Sequence, residues 1–262
     1  KFKVSLMDIS VIIPCYNREA SIQGAVLSVL NQVGNHNIEV IVVDDGSTDG
    51  SIDRLKGLNI KVLHTNGRTG ACNARNIGIE AATNEWVAFN DSDDFWRIDK
   101  LNYIEGAINS NNGNIDYIFH PFIRVIGLKS IIGGVYHSAS GAIKNDFLKK
   151  MLANNMISTQ CLISKKNTLI DCGYFDIHLK RFQDWEFALR IACKSQGFYI
   201  SEPLALCIES SDSISKGFKK GIAAREYIFD KHRSIYLNNK SSMYRFLFSL
   251  QLRKIVSLLK RD

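Results

Sequence analysis

The stretch FNDSDDFW, residues 89–96, closes the apolar run Trp86-Val87-Ala88-Phe89 with Asp91, Asp93 and Asp94. Three carboxylates within four positions repel one another and resist burial, so a folded chain holds them on a solvated turn or around a cation. In either case a buried strand ends here and its polar end faces outward. The neighbouring sequence decides what it faces.

Upstream, residues 9–14 and 40–43 are β-branched runs that also end in polar residues, and residues 20–32 between them carry Ile22, Val26, Val29 and Leu30 at helical spacing. Residues 61–64 read as a third strand, 71–82 as a helix and 86–90 as a fourth strand. This alternation predicts an α/β fold whose mostly parallel sheet has helices on both faces. Polar clusters follow the strands at 16–19, 44–49 and 91–94, and ligands of open α/β sheets bind outside the carboxyl ends of strands. The three clusters are therefore expected at one crevice. After residue 110 the rhythm becomes mixed, with strands expected at 117–126 and 133–136 and helices at 147–152 and 185–193.

The chain has 262 residues, 45% of them hydrophobic, which is enough to bury a substantial core. Its formal charge of +7 points to an anionic partner. The basic residues are scattered and lack the stacking aromatics of RNA-binding motifs, so nucleic acid is not expected. Six cysteines lie far apart with no C-x-x-C pair and read as reduced core thiols of a cytoplasmic protein. No apolar run reaches the roughly 20 residues that span a bilayer, so membrane insertion is not expected. Residues 241–262 interleave Phe246, Leu247, Leu250, Ile255, Leu258 and Leu259 with Arg245, Arg253, Lys254, Lys260 and Arg261. Two readings of this tail stand: a basic amphipathic helix lying on an anionic membrane, or a helix packed on the domain with a solvated basic face.

Asp91, Asp93 and Asp94 supply hard oxygens suited to Mg²⁺ or Mn²⁺, which prefer one or two carboxylates plus substrate phosphates. In VVDDGSTDG, residues 42–50, a strand-end carboxylate can accept hydrogen bonds from a base or ribose, whereas Ser47 and Asp49 also suit a plain turn or helix cap. No G-x-G-x-x-G follows the first strand and no G-x-x-x-x-G-K-[ST] occurs, which disfavours a dinucleotide dehydrogenase and a P-loop NTPase.

VIIPCYNRE (11–19), VVDDGSTD (42–49), GACNARNIG (70–78), FNDSDD (89–94) and GYFDIHLKRFQDWEFALRI (173–191), in this order, resemble the family 2 glycosyltransferases with the GT-A fold. The resemblance covers roughly residues 8–215. It implies a single Rossmann-like mixed sheet flanked by helices, with a nucleotide-sugar half at 8–110, an acceptor half at 111–215 and a basic helical extension at 216–262. It further implies inverting transfer of a sugar from a UDP-sugar donor, with Mn²⁺ or Mg²⁺, to a hydroxyl of a glycan acceptor. By the same resemblance, Pro14, Tyr16 and Glu19 surround the base and ribose, Asp45 meets the uracil and Arg75 closes the pocket. Asp91 meets the ribose or donor sugar, Asp93 holds the metal and Asp94 binds the sugar or orients its neighbours. Asp184 falls on the position of the general base, with a helix N-terminal aspartate as the plain alternative. Trp185 and Glu186 beside it are expected at the acceptor pocket, with core packing as the alternative for Trp185.

The sequence departs from the family at ESSDSIS, residues 209–215, where Ser210 stands in the place of a frequent His. The tail suggests peripheral contact with the cytoplasmic face of the inner membrane and a polyprenyl-diphosphate-linked acceptor of bacterial surface polysaccharide assembly. Two other classes stay open: a nucleotide-sugar-binding protein without transfer activity, and a carboxylate-based glycoside hydrolase.

Overall fold

A computed structural model describes residues 7–137, 139–143, 146–208 and 218–259. The first half alternates as its apolar periodicity predicts: β1 (Met7–Cys15), α1 (Ile22–Leu30), β2 (His36–Asp44), β3 (Lys61–His64), α2 (Ala71–Ala81) and β4 (Trp86–Phe89). The order β3-β2-β1-β4 is parallel throughout, and register brings Cys15 opposite Asp44 and Ile12 opposite Phe89. The carboxyl ends of these three central strands therefore lie side by side.

Alternation along the strands builds a core on each face of this sheet. Ile9, Val11, Ile13, Val40 and Val42 face α1 on one side, while Ile12, Ile41, Val43 and Phe89 face α2 on the other. A short strand, β5 (Asp94–Trp96), and α3 (Lys100–Ser110) follow, and Leu101 and Ile104 of α3 join the α1 side.

The second half departs from its predicted elements at two points. The run expected as one strand at 117–126 is two, β6 (Tyr117–Phe119) and β7 (Phe122–Ile126), broken at His120-Pro121. Pro121 has no amide hydrogen to continue a ladder, and the chain passes there from one sheet to another. The strand expected at 133–136 is instead β8 (Lys129–Gly133), which stops where Gly134 adopts φ 75°. Next come β9 (Gly141–Ala142), α4 (Phe147–Ala153), β10 (Leu162–Lys165), α5 (Lys166–Asp171), α6 (Gln183–Lys194), β11 (Gly197–Tyr199) and β12 (Ala205–Ile208).

β10 inserts antiparallel beside β4, giving an eight-stranded mixed sheet in the order β3-β2-β1-β4-β10-β6-β11-β9. This accounts for the sheet expected from sequence. A second sheet, β5-β12-β7-β8, is an addition that the sequence reading did not contain. Its strand β5 begins within the FNDSDDFW stretch, so the acidic turn joins the two sheets.

The chain continues into α7 (Phe218–Lys231), α8 (Arg233–Asn238) and α9 (Lys240–Leu259). Phe246 of α9 packs on Trp185, Phe229 and Tyr236, with ring centroids 5.0–5.9 Å apart, and the Ser242 hydroxyl donates to the Lys149 carbonyl of α4. One face of α9 is thus a packing surface. Its outer end leaves Leu252, Ile255, Leu258 and Leu259 exposed. Among the described residues, no helix is long and apolar enough to cross a membrane.

Candidate active site

A cleft of about 770 Å³ opens where β1, β2 and β4 end, lined among others by Pro14, Tyr16, Asp45, Arg75, Asp91, Asp93 and Asp94. The three polar strand ends of the sequence do converge.

The first two ends are stitched together. Asn17, at φ 48°, receives the Thr48 amide on its side-chain oxygen (2.8 Å), while its own amide donates to the Ser47 hydroxyl (3.0 Å). The Arg18 amide donates to the Ser51 hydroxyl (2.7 Å), and Asp49 accepts from the Glu19 amide (3.1 Å). Ser47 and Asp49 are thus turn-makers, as their plain reading had it. Glu19 lies outside the cleft lining: it is exposed, accepts from the Gly50 amide (3.2 Å) and pairs with Arg54 (3.2 Å). Its expected place at the nucleotide is corrected to a brace on the 49–54 turn.

Asp45 lines the cleft, but its carboxylate is already engaged by the Thr65 hydroxyl (2.7 Å), the Thr69 amide and hydroxyl (both 2.8 Å) and the Gly70 amide (2.7 Å). Burial alone would raise its pKa, yet these donors hold it below the usual carboxylate range. Asp45 therefore fixes the loop leading into α2, whatever else it meets.

At the third end Asp91 accepts from the Arg75 guanidinium at 2.6 Å, and Asp93 faces Arg18 at 3.6 Å. Arg75 is buried, with its Nε unpartnered among the described residues and its guanidinium 5.6 Å from the Phe175 ring. Burial, then the charges of Asp91 and Asp93, push Asp94 up to about 8. Asp94 is the buried member of the trio, while Asp91 and Asp93 keep faces on the cleft.

The donor set fits a divalent cation in a limited way. Among the described residues no three His, Cys, Asp or Glu side chains form a metal cage. One or two partly exposed carboxylates supply hard oxygens, and the remaining positions fall to diphosphate and water. Ser210 and the 215/216 boundary lie outside the described residues.

Asp184 sits in the first turn of α6, reached through Phe182 in a left-handed conformation (φ 61°). Its oxygens accept from the Asn155 amide nitrogen and the Trp185 backbone amide, both at 2.8 Å. Burial raises its pKa, against these hydrogen bonds and the field of Arg75. A carboxyl raised in this way is a stronger proton acceptor than an exposed one.

Its two neighbours require correction. Trp185 is fully buried, its indole N–H donating to the Met151 carbonyl at 2.6 Å. Glu186 is fully buried too, paired with Arg190 (2.7 Å), Lys231 (3.0 Å) and His232 (2.9 Å). Successive helical residues diverge by about 100°, and where Asp184 stays partly exposed both of these point into the core. Neither has a face left for an acceptor.

Three cleft arginines escaped the sequence reading. Arg68 lies over the Tyr16 ring at 4.5 Å, Arg18 faces Asp93, and Arg124 enters from the second sheet. Arg18 and Arg68 adjoin the motifs and were legible in principle. Arg124 was not, because nothing in the sequence announced the second sheet. Cys15 also lines the cleft, but burial pushes its thiol up to about 11, which removes it as a nucleophile.

Against this geometry, the model of the family described as "Glycosyl transferase family 2" matches residues 10–165. The chain belongs to glycosyl transferase family 2. An Escherichia coli relative, UDP-Glc:alpha-D-GlcNAc-diphosphoundecaprenol beta-1,3-glucosyltransferase WfgD, is 35% identical over 202 residues, spanning 74% of this chain and 76% of that one. An uncharacterized glycosyltransferase of Haemophilus influenzae is 27% identical over 202 residues, spanning 76% and 67%. The crystal structure of S. aureus TarS 1-349 aligns with TM-score 0.72 at 22% identity, covering 92% of this chain and 71% of that one, which shows the shared GT-A fold. A longer TarS structure is covered for 39% of its length.

Proposed function

We propose that this family 2 enzyme transfers a sugar, with inversion, from a UDP-sugar to a hydroxyl of a lipid-linked glycan acceptor in bacterial surface polysaccharide assembly. The observation that carries this reading is the convergence of an arginine-rich nucleotide-sized cleft with the partly exposed Asp91 and Asp93, while Asp184, outside that lining, stands near enough for the charges of Arg75 and Asp91 to act on it. TarS has been crystallised with UDP-GlcNAc, and WfgD is named for a UDP-glucose donor and a diphosphoundecaprenol-linked acceptor. Both names support the donor and acceptor classes chosen here.

In this reading Tyr16 and Arg68 stack against the base, and Arg75 and Asp91 orient the ribose and donor sugar. Mn²⁺ or Mg²⁺, held by Asp93 with Asp91 beside it, would offset the charge of the departing diphosphate as a Lewis acid. Asp184 takes the proton of the attacking hydroxyl, and Asn155 and the Trp185 amide keep its carboxylate oriented for that transfer. A non-transferring binding protein would have no use for so supported a base. A hydrolase would need a second acid across the bond from Asp184, whereas the cleft carboxylates sit together at the strand ends, with Asp91 and Asp93 facing Arg75 and Arg18.

Calorimetric titration with UDP, GDP and CMP, with and without Mn²⁺, tests the donor class: metal-enhanced, UDP-selective binding is expected. A preference for another nucleotide would overturn the uridine assignment.

The reading includes peripheral contact with the cytoplasmic face of the membrane. Phe248, Leu252, Ile255, Leu258 and Leu259 are exposed on α9, whose sequence also carries Arg245 and Arg253. Replacing Leu258 and Leu259 by Ser should weaken sedimentation with phosphatidylglycerol vesicles several-fold while leaving thermal stability unchanged. Equal sedimentation would leave α9 as packing alone.

A further inference from the structure

The end of α4 reaches the Asp184 carboxylate from two sides. On α6 the Trp185 amide donates to one carboxylate oxygen (2.8 Å), and the Trp185 indole N–H donates to the Met151 carbonyl of α4 (2.6 Å). On the other side Asn155, just past the end of α4, donates from its side-chain nitrogen to the second oxygen (2.8 Å). These bonds and the last turn of α4 close a ring around the carboxylate. The orientation of Asn155 in that ring is fixed, because its side-chain oxygen accepts from the amide of buried Ile157 (3.2 Å), which leaves its nitrogen for Asp184.

What holds the end of α4 comes from far along the chain. A helix has no amides of its own for its last carbonyls. The Asn154 amide closes the final helical bond of α4, on Lys150, and the backbone turns extended there (φ −147°, ψ 147°). The next carbonyls are taken by side chains of other helices: Met151 by the Trp185 indole of α6, and Leu152 by the Tyr236 hydroxyl of α8 (3.0 Å). Ser242 of α9 adds a donor to the Lys149 carbonyl (3.1 Å), which lies within the helical ladder. Tyr236 is fully buried, with its ring 5.0 Å from those of Phe229 and Phe246. Its packed ring therefore fixes where its hydroxyl, and with it Leu152, must lie.

We propose that Tyr236 is a positioning residue for the base, acting through Asn155: Tyr236 fixes the end of α4, and α4 carries Asn155 onto Asp184. This rests on the reading of Asp184 as the base and extends the catalytic machinery to the C-terminal helices. A hydrogen bond to a carboxylate favours its charged form, so the Asn155 contact keeps Asp184 able to accept a proton although burial works against it. Neither Asn155 nor Tyr236 lines the donor cleft, so their effect falls on the base and not on nucleotide binding.

The test is an NMR titration of the carboxyl carbons of the full chain labelled at aspartate, with the Asp184 signal assigned by its loss in Asp184→Asn. Asn155→Ala should raise the pH at which Asp184 titrates, and Tyr236→Phe should raise it by less. The double variant should match Asn155→Ala alone, since Tyr236 acts through Asn155. Tyr236→Phe keeps the buried ring and Asn155 is half-exposed, so both variants should fold, which thermal melting checks. In transfer from a UDP-sugar the acid limb of the rate profile should move to higher pH with the titration. There kcat should fall about tenfold in Asn155→Ala and about threefold in Tyr236→Phe, with UDP affinity within about twofold of wild type. An unmoved Asp184 titration in Tyr236→Phe, or additive effects in the double variant, would overturn the proposal and leave Tyr236 to packing alone. A moved titration with an unchanged rate profile would overturn the base reading while the route from Tyr236 to Asp184 stands.

Discussion

Asp184 and Asp45 show how one residue type serves two ends through its donors. Asp45 is held by four hydrogen bonds below the usual carboxylate range, so it is a fixed charge that organises the loop before α2. Asp184 has two donors, is raised by burial and stands free of any ion pair among the described residues, which suits a group that must take up a proton. Asp184→Asn keeps shape and the Trp185 contact but removes the basic oxygen. Transfer should fall by about 10² to 10⁴, the usual share of general base catalysis, while the dissociation constant for UDP stays within about twofold. Stopped-flow or radiolabel transfer assays beside a UDP titration would read both. A parallel loss of UDP affinity would make Asp184 part of the donor pocket instead.

The contact between α2 and the sheet depends on one missing side chain. Gly78 lies against Ile12 of β1, and a Cβ there would stand 2.4 Å from the Ile12 side chain, well inside van der Waals contact. Gly78→Ala should gain helix propensity and still destabilise the fold by about 1–3 kcal/mol, the range for overpacking a core. Urea denaturation would show it as a lower midpoint at unchanged slope, whereas a stabilised variant would mean that the helix shifts without cost. The strands and helices of this half were legible because each has a clear period: β1, β2 and β4 are continuous apolar runs and α1 repeats at helical spacing. The second half was less legible where long-range pairing decides. β7 and β12 pair in parallel across some 80 residues of chain, and no local pattern announces such a partner. The donor-side carboxylates were read correctly as strand-end groups. Trp185 takes its core alternative and Glu186 lies in the core instead of at the acceptor pocket, because motif adjacency says nothing of which way a helical residue points.

The C-terminal helices join the catalytic half through charge as well as aromatic packing. Glu186 of α6, fully buried, meets Arg190 on its own helix and Lys231 and His232 from the end of α7; Lys231 also reaches Asp176 at 2.5 Å. Burial would raise both carboxyls, but hydrogen bonds from these partners and the charges of Arg190 and Lys231 lower Glu186 to about 2 from its ordinary 4.5 and Asp176 to about 2 from 3.8. Folded-state values below the unfolded ones mean that the unfolded chain binds more protons as pH drops through this range. The stability these groups contribute is therefore complete above about pH 4.5 and lost as pH falls toward 2. Urea midpoints should be flat between pH 7 and 5 and decline steeply below 4.5. Glu186→Gln should flatten that acid slope and, by leaving Arg190 and Lys231 without their buried counter-charge, lower stability at pH 7 by about 3–5 kcal/mol. Since α6 also carries Asp184 in its first turn, the same substitution should reduce transfer more than UDP affinity. An acid slope identical to wild type would instead place the origin of acid unfolding elsewhere in the molecule.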